Sequence, residues 1–223
     1  MKKFELTNEF ITNMFGTKLF RIRALVEFGD VEAGELGGYV EKESNLGHDD
    51  NAWVYDNAWV YGNARVYGDA QVSGDARVYG NARVYGDAQV SGDALVCGNA
   101  LVYDNAWVYG NARVCGDALV CGNARVCSDA LVCGNARVCS DEDYAYAHGF
   151  GSVNRTTTFF RLKDGGVGVR CGCFYGTLAQ FRDKIRETHG ETKKAQEYLM
   201  LADLMELRFE EDENEVGNRK YVE

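Results

Sequence analysis

Residues 64–98 read ARVYGDAQVSGDARVYGNARVYGDAQVSGDALVCG, and the spacing inside this stretch decides the fold. Valine stands at every sixth position, with alanine two residues before each valine. The pattern continues outward in both directions, with valine from Val54 to Val138 and alanine from Ala52 to Ala136, fifteen units without a miss. Residues two apart on an extended strand point to the same side, so the Ala/Val pairs form an interior. Between each valine and the next alanine lies x-G-[DN]. The glycine supplies the positive φ of a sharp corner, and the neighbouring Asn or Asp can bond local backbone groups. Each hexad is therefore a short strand plus a corner. At four corners glycine is replaced: Asp56 and Asp104 tolerate a left-handed conformation fairly well, Ser128 and Ser140 poorly. The last coils are expected to be the more strained.

Three corners close a triangle of 18 residues, and parallel pairing stacks each coil about 4.8 Å above the last. Fifteen hexads make five coils over residues 51–143, a parallel β-solenoid roughly 24 Å long. Such coils depend on their neighbours for stability, so the ends require caps. The outward positions become columns of period 18: Trp53, Gln71, Gln89, Trp107, Arg125 on one face; Trp59, Arg77, Leu95, Arg113, Leu131 on the second; Arg65, Arg83, Leu101, Leu119, Arg137 on the third. At the position after each valine, tyrosine gives way to cysteine, as in Tyr61, Tyr79, Cys97, Cys115, Cys133. Such rows are read in two ways: as surface covered by another subunit or a ligand, or as side chains that stack to stiffen the coils. GDAQVSGDA at 68–76 recurs at 86–94, copying that argues against a finely built catalytic pocket within the repeat.

The chain has 223 residues, no proline, 26 glycines and a net charge of −10. Residues 51–140 hold six Arg against eight Asp, so the repeat is nearly neutral and the remaining deficit lies in the flanks. Clustered Lys and Arg for tracking phosphates are missing, which excludes nucleic acid as a partner. The N-terminus lacks the apolar core of a signal peptide, and no stretch approaches the roughly 20 apolar residues of a membrane span. A soluble cytoplasmic protein, without membrane contact, is expected.

Residues 1–50 read as a cap and irregular first coil, with a strand over Leu19 to Val26 and the six-residue interval already present between Val40 and Leu46. From residue 144 to 209 a ββαα module is expected. Thr156 to Leu162 and Val167 to Phe174 flank the turn Lys163-Asp164-Gly165-Gly166. Thr177 with Gln180 caps a helix ended by Gly190, and Thr192 starts a second whose Tyr198, Leu199, Ala202, Met205 and Leu207 suit burial. Residues 210–223 form an acidic tail.

The repeat resembles the hexapeptide-repeat superfamily, whose members are left-handed parallel β-helices, frequently trimeric. That resemblance, rather than the spacing, is the ground for expecting a left-handed coil and a homo-oligomer, trimer or dimer. The flanks RIRAL…GDVEAGELGGYVE and FFRLKDGGVGVRCGCFYGTLAQFRDKIRETHG are similar to repeat proteins carried by bacteriophages and prophages, which offer no motif of agreed chemical role.

Candidate chemistry is sparse. Acyltransferases of the superfamily use a histidine base beside a loop that leaves the solenoid, and no loop interrupts these hexads. His148 in AYAHGFG is the single catalytic candidate, against the plainer reading of a cap histidine; the three histidines do not match a three-histidine zinc site. Cys171 and Cys173 form a C-x-C that could begin a metal site but lacks a second pair, so buried hairpin thiols are the plainer reading. The solenoid cysteines are expected as free thiols in a reducing compartment, several of them one coil apart and close enough for oxidation in vitro to bridge. Regular threonines of the kind ice binding needs are missing from every face. The expectation is a non-enzymatic binding or assembly scaffold without a cofactor, taking a small nucleotide or a host protein of a defence response. Trp59, Arg65, Arg83, Trp107 and Arg113 are the candidate ligand-binding residues; an acyl-CoA-dependent acyltransferase is the competing class.

Overall fold

The computed structural model describes residues 2–151 and 155–210. The expected acidic tail lies, after Glu210, outside them. Two compact units divide after Tyr144. Among the described residues no helix is long and apolar enough to cross a membrane.

The first unit is a parallel β-solenoid. Three N-terminal strands, β1 (Phe4–Thr12), β2 (Lys18–Ala24) and β3 (Leu36–Val40), precede fifteen two-residue strands, β4 (Trp53–Val54) to β18 (Arg137–Val138), one per hexad. They sort into three sheets by their place in the coil. One face runs β3-β5-β8-β11-β14-β17, with β2 and β1 added antiparallel at its start; the others run β4-β7-β10-β13-β16 and β6-β9-β12-β15-β18. Each strand from β4 to β15 pairs in parallel with the one 18 residues on, as in Arg65↔Arg83 and Val66↔Val84. The irregular first coil joins the stack through Tyr39↔Trp59 and the bridge Leu46↔Val66.

The Ala and Val of every hexad are fully buried, and burying a valine contributes about 1.5–3 kcal/mol. The corners carry the backbone bonding from coil to coil: Asp69 N–H donates to the Gly86 carbonyl at 2.9 Å, and Asn81 to Gly98 at 2.7 Å. Glycine is required there twice over. Gly98 has φ +72°, and a Cβ on it would lie 2.9 Å from the Gly116 nitrogen of the next coil.

The replaced corners divide into three cases. Asp56 and Asp104 adopt φ 53° and 58°, and their carboxylates accept the N–H of Gly74 and Gly122 one coil on, at 3.0 and 3.2 Å. Ser128 also has φ 58°. Ser140 departs from expectation: it is extended, with φ −143°, and caps a short 3-10 turn, Asp141–Asp143, instead of making a left-handed corner. Strain at the last corner is thereby avoided.

Two further expectations about the columns are corrected. Trp53 is not displayed; Phe4 and Phe28 pack edge-on against it at 6.2 and 5.3 Å, and it is completely buried. Cys121 and Cys139, stacked one coil apart, are joined as a disulfide rather than being thiols.

The second unit holds a four-stranded sheet in sequential order, β19 (Tyr144–Phe150), β20 (Arg155–Arg161), β21 (Val167–Cys171) and β22 (Phe174–Thr177), followed by α1 (Leu178–His189) and α2 (Lys193–Phe209). The single strand expected from Val167 to Phe174 breaks at Gly172, φ 58°, which reverses the chain so that Cys171 faces Phe174. Thr177 and Gln180 form the expected capping box, and Thr192 caps α2. On α2 the buried positions are Ala195, Tyr198, Ala202, Met205 and Phe209. Their alternating three- and four-residue steps leave Leu207 outside, 68 % exposed, contrary to expectation.

Ser128→Gly replaces a non-glycine residue held in the left-handed region and is expected to add about 1 kcal/mol of stability, read as a raised urea midpoint. Asp104→Gly is expected to lower it, because the bond to Gly122 goes with the carboxylate. Equal gains by both would show that this carboxylate contributes nothing.

Candidate functional site

The third face begins with two arginines in register. Arg65 and Arg83 are directly opposite on adjacent strands, and both are exposed. Like charges in that relation destabilise a sheet. They line a cleft of about 460 Å³ with Lys42, Ser44, Asn63, Ala64 and Asn81, and among the described residues no carboxylate lines it. Its edge is a hydrogen-bonded column. Lys42 Nζ donates to Asn63 Oδ1 at 3.3 Å, Asn63 to Asn81 at 3.2 Å, Asn81 to Asn99 at 3.0 Å, and Asn99 to Asp117 at 2.9 Å. Running from an ammonium to a carboxylate, this column fixes the asparagines and leaves the guanidiniums as the groups with donors to offer. Guanidinium forks match phosphate and carboxylate oxygens.

Arg65 also borders a second cleft of about 510 Å³, lined by Glu43, His48, Asp49, Tyr67 and neighbours. There the Lys3 backbone N–H donates to His48 Nδ1 at 3.2 Å, so the imidazole proton resides on Nε2, 2.9 Å from Glu43. The Lys2 ammonium, with His48, holds the Glu43 carboxyl below its usual range. The ring stacks on Phe4 at 4.4 Å. His48 is thus a structural part of the N-terminal cap.

The other candidates do not gather at this cleft. Trp59 and Arg113 belong to the second face, on β5 and β14, with two coils between them, and Trp107 belongs to the first. Trp59 already carries Arg77 over its ring at 4.5 Å. Trp107 lies 4.8 Å from Tyr109 and donates to Ser91 Oγ at 3.2 Å. Of the five residues, Arg65 and Arg83 line one cleft together. Lys42 was missed by sequence reasoning, although the spacing of Val40 and Leu46 places it on the coil above Asn63.

The tyrosine and cysteine columns stack. Tyr61 and Tyr79 are parallel at 5.0 Å, as are Tyr67, Tyr85 and Tyr103. Burial and a hydrogen bond to Cys97 push the Tyr79 phenol up to about 12, while the bond to Cys115 and burial raise the Cys97 thiol. These groups are protonated at neutral pH. In the second unit, His148 is exposed on β19 with Nδ1 2.9 Å from Thr156 Oγ1. Cys171 ends β21, whereas Cys173 sits in the turn, so the pair does not share a strand face. Among the described residues, no three His, Cys, Asp or Glu side chains are grouped to hold a metal.

Segments at 58–74, 70–86, 76–92, 94–110 and 106–122 match the family model for the YdcK beta solenoid repeat. No curated protein matches the chain. Together with the coil geometry, these matches define a β-solenoid repeat protein.

The cap beneath the cleft has a testable pH response. Lys3 Nζ donates to the carbonyls of Asp50 and Ala52 at 3.1 and 2.8 Å, and burial lowers its pKa from 10.5 to about 8 despite nearby Asp50, Asp49 and Asp69. Between those values the unfolded chain holds a proton that the folded chain has released, so the Lys3 contribution to stability grows as pH rises from about 8 to 10.5. Tyr79 acts oppositely, its contribution being lost as pH climbs from 10.0 towards 12. Comparison with Lys3→Met cancels Tyr79: the wild type is expected to gain on the variant across the Lys3 window in urea unfolding. A difference independent of pH would show that Lys3 keeps its proton.

Proposed function

We propose that this protein is a non-enzymatic binding scaffold, and that the cleft of Lys42, Arg65 and Arg83 takes a small phosphorylated ligand. The observation that carries the reading is the in-register arginine pair without a lining carboxylate. An anion between the two guanidiniums turns a mutual repulsion into two charge-assisted contacts. The unbroken coils support display rather than catalysis, since the repeat sets side chains at coil spacing and no excursion from it builds an enclosing wall. The phage-like flanks support the finer reading that the ligand is a nucleotide signal of the bacterial host, held away from a defence response.

Calorimetric titration with ADP and with adenosine tests this. ADP is expected to bind and adenosine to bind at least tenfold more weakly, and Arg65→Gln/Arg83→Gln is expected to cost ADP at least tenfold, about 1.4 kcal/mol. Equal ADP affinity in the double variant, or no ADP binding by the wild type, contradicts the proposal.

A further inference from the structure

A third cleft, contained wholly in the β19–α2 unit, has a different chemistry. Its volume is about 270 Å³, room for roughly a bicyclic molecule. The apolar part is aromatic. Phe181 lies between Phe174, tilted at 5.4 Å, and Tyr198, edge-on at 5.8 Å, while Ile185 fills the same side and His189 stacks on Tyr198 at 5.9 Å. Phe181 and Tyr198 belong to the core of the unit and are almost wholly buried, so the apolar wall is the rim of these rings together with half-buried Phe174.

Arg155 and Lys184 supply positive charge at the lining, and among the described residues no carboxylate belongs to it. The position of Arg155 follows from the β21–β22 turn. Gly172 takes φ 58°, and a Cβ there would stand 2.2 Å from Arg155 Nη1; glycine lets the guanidinium lie against the turn. Lys184 is an exposed residue of α1 whose ammonium bonds Glu187 at 2.8 Å, which leaves Arg155 as the planar donor. Cys171 is engaged below, accepting from Thr157 Oγ1 at 3.2 Å.

We infer that this cleft is a binding site for a small aromatic carboxylate, its ring among Phe174, Phe181 and Tyr198 and its carboxylate on the Arg155 fork. The aromatic lining selects a planar apolar body, and a guanidinium without a neighbouring lining carboxylate selects a single negative group that it can hold through paired N–H bonds. The site is independent of the solenoid cleft and takes a different class of ligand.

The test is a titration of the full-length protein, followed by 1H–15N NMR, with 2-naphthoate and with the neutral 2-naphthalenemethanol. Naphthoate is expected to shift the amides of Phe174, Lys184 and Ile185 saturably, and to bind at least tenfold more tightly than the alcohol. Arg155→Gln is expected to remove that preference while leaving the alcohol's affinity unchanged. Arg155→Lys, which keeps the charge at an exposed position and loses the fork, serves if the first variant fails to fold, and is expected to weaken naphthoate alone. Absence of saturable shifts at those amides, equal affinity for acid and alcohol, or an unchanged preference in the folded variant overturns the inference.

Discussion

The backbone hydrogen bond between coils is the interaction on which the solenoid depends, and it is directed. Each strand's N–H groups donate to the coil that follows, as Arg65 does to Ala82 and Tyr67 to Val84. The carbonyls of the first coil therefore face out at one end and the N–H groups of the last coil at the other, and buried unpaired groups of either kind are costly. The two caps answer with opposite chemistry. At the start, Lys3 donates to the carbonyls of Asp50 and Ala52, and buried Asn45 to those of Gly62 and Ala64. At the end, Asp141 accepts the Arg125 N–H, and Asp143 those of Cys139 and Ser140. A donor cap and an acceptor cap are what a one-way ladder requires.

The same ladder converts sequence spacing into contact. Residues 18 apart become neighbours, so identical residues stack whether or not their charges agree. For tyrosines this yields parallel ring pairs, and for asparagines a hydrogen-bonded column. For Arg65 and Arg83 it yields repulsion, and an anionic partner is the simplest means of relieving it. Elsewhere the columns avoid the problem: Arg77 lies over Trp59, and Arg113 stands between Leu95 and Leu131. The basic cleft is the place where the columns leave a chemical need unmet.

Much of this was legible in sequence because period six and period 18 are set by the pleat and the corner, both local. The caps of α1 and α2 were legible for the same reason, each being a contact over three residues. What escaped depends on distant partners. Trp53 occupies an outward position, yet Phe4 and Phe28 cover it; nothing local to its hexad carries that information. β1 and β22 pair with neighbours that the flanking sequence does not mark by alternation, and Gly172 hides a reversal inside what reads as one strand. Leu207 failed for a simpler reason, since the period of α2 selects Phe209. In the candidate site, the arginine pair was visible from its spacing, whereas the tryptophans were misleading because hydrophobic character does not say which face a residue occupies or which neighbour already holds it.

The central claim is that the solenoid is a stack of interchangeable 18-residue coils in which adjacency creates the site. The most direct measurement compares two deletions of one coil each, residues 69–86 and residues 87–104, for folding by circular dichroism and for phosphate-ligand binding. Both remove whole hexads and restore every column, but only the first removes Arg83. The account predicts that both chains fold cooperatively and that only the second still binds the ligand. Failure of either to fold, or equal binding by both, would contradict it.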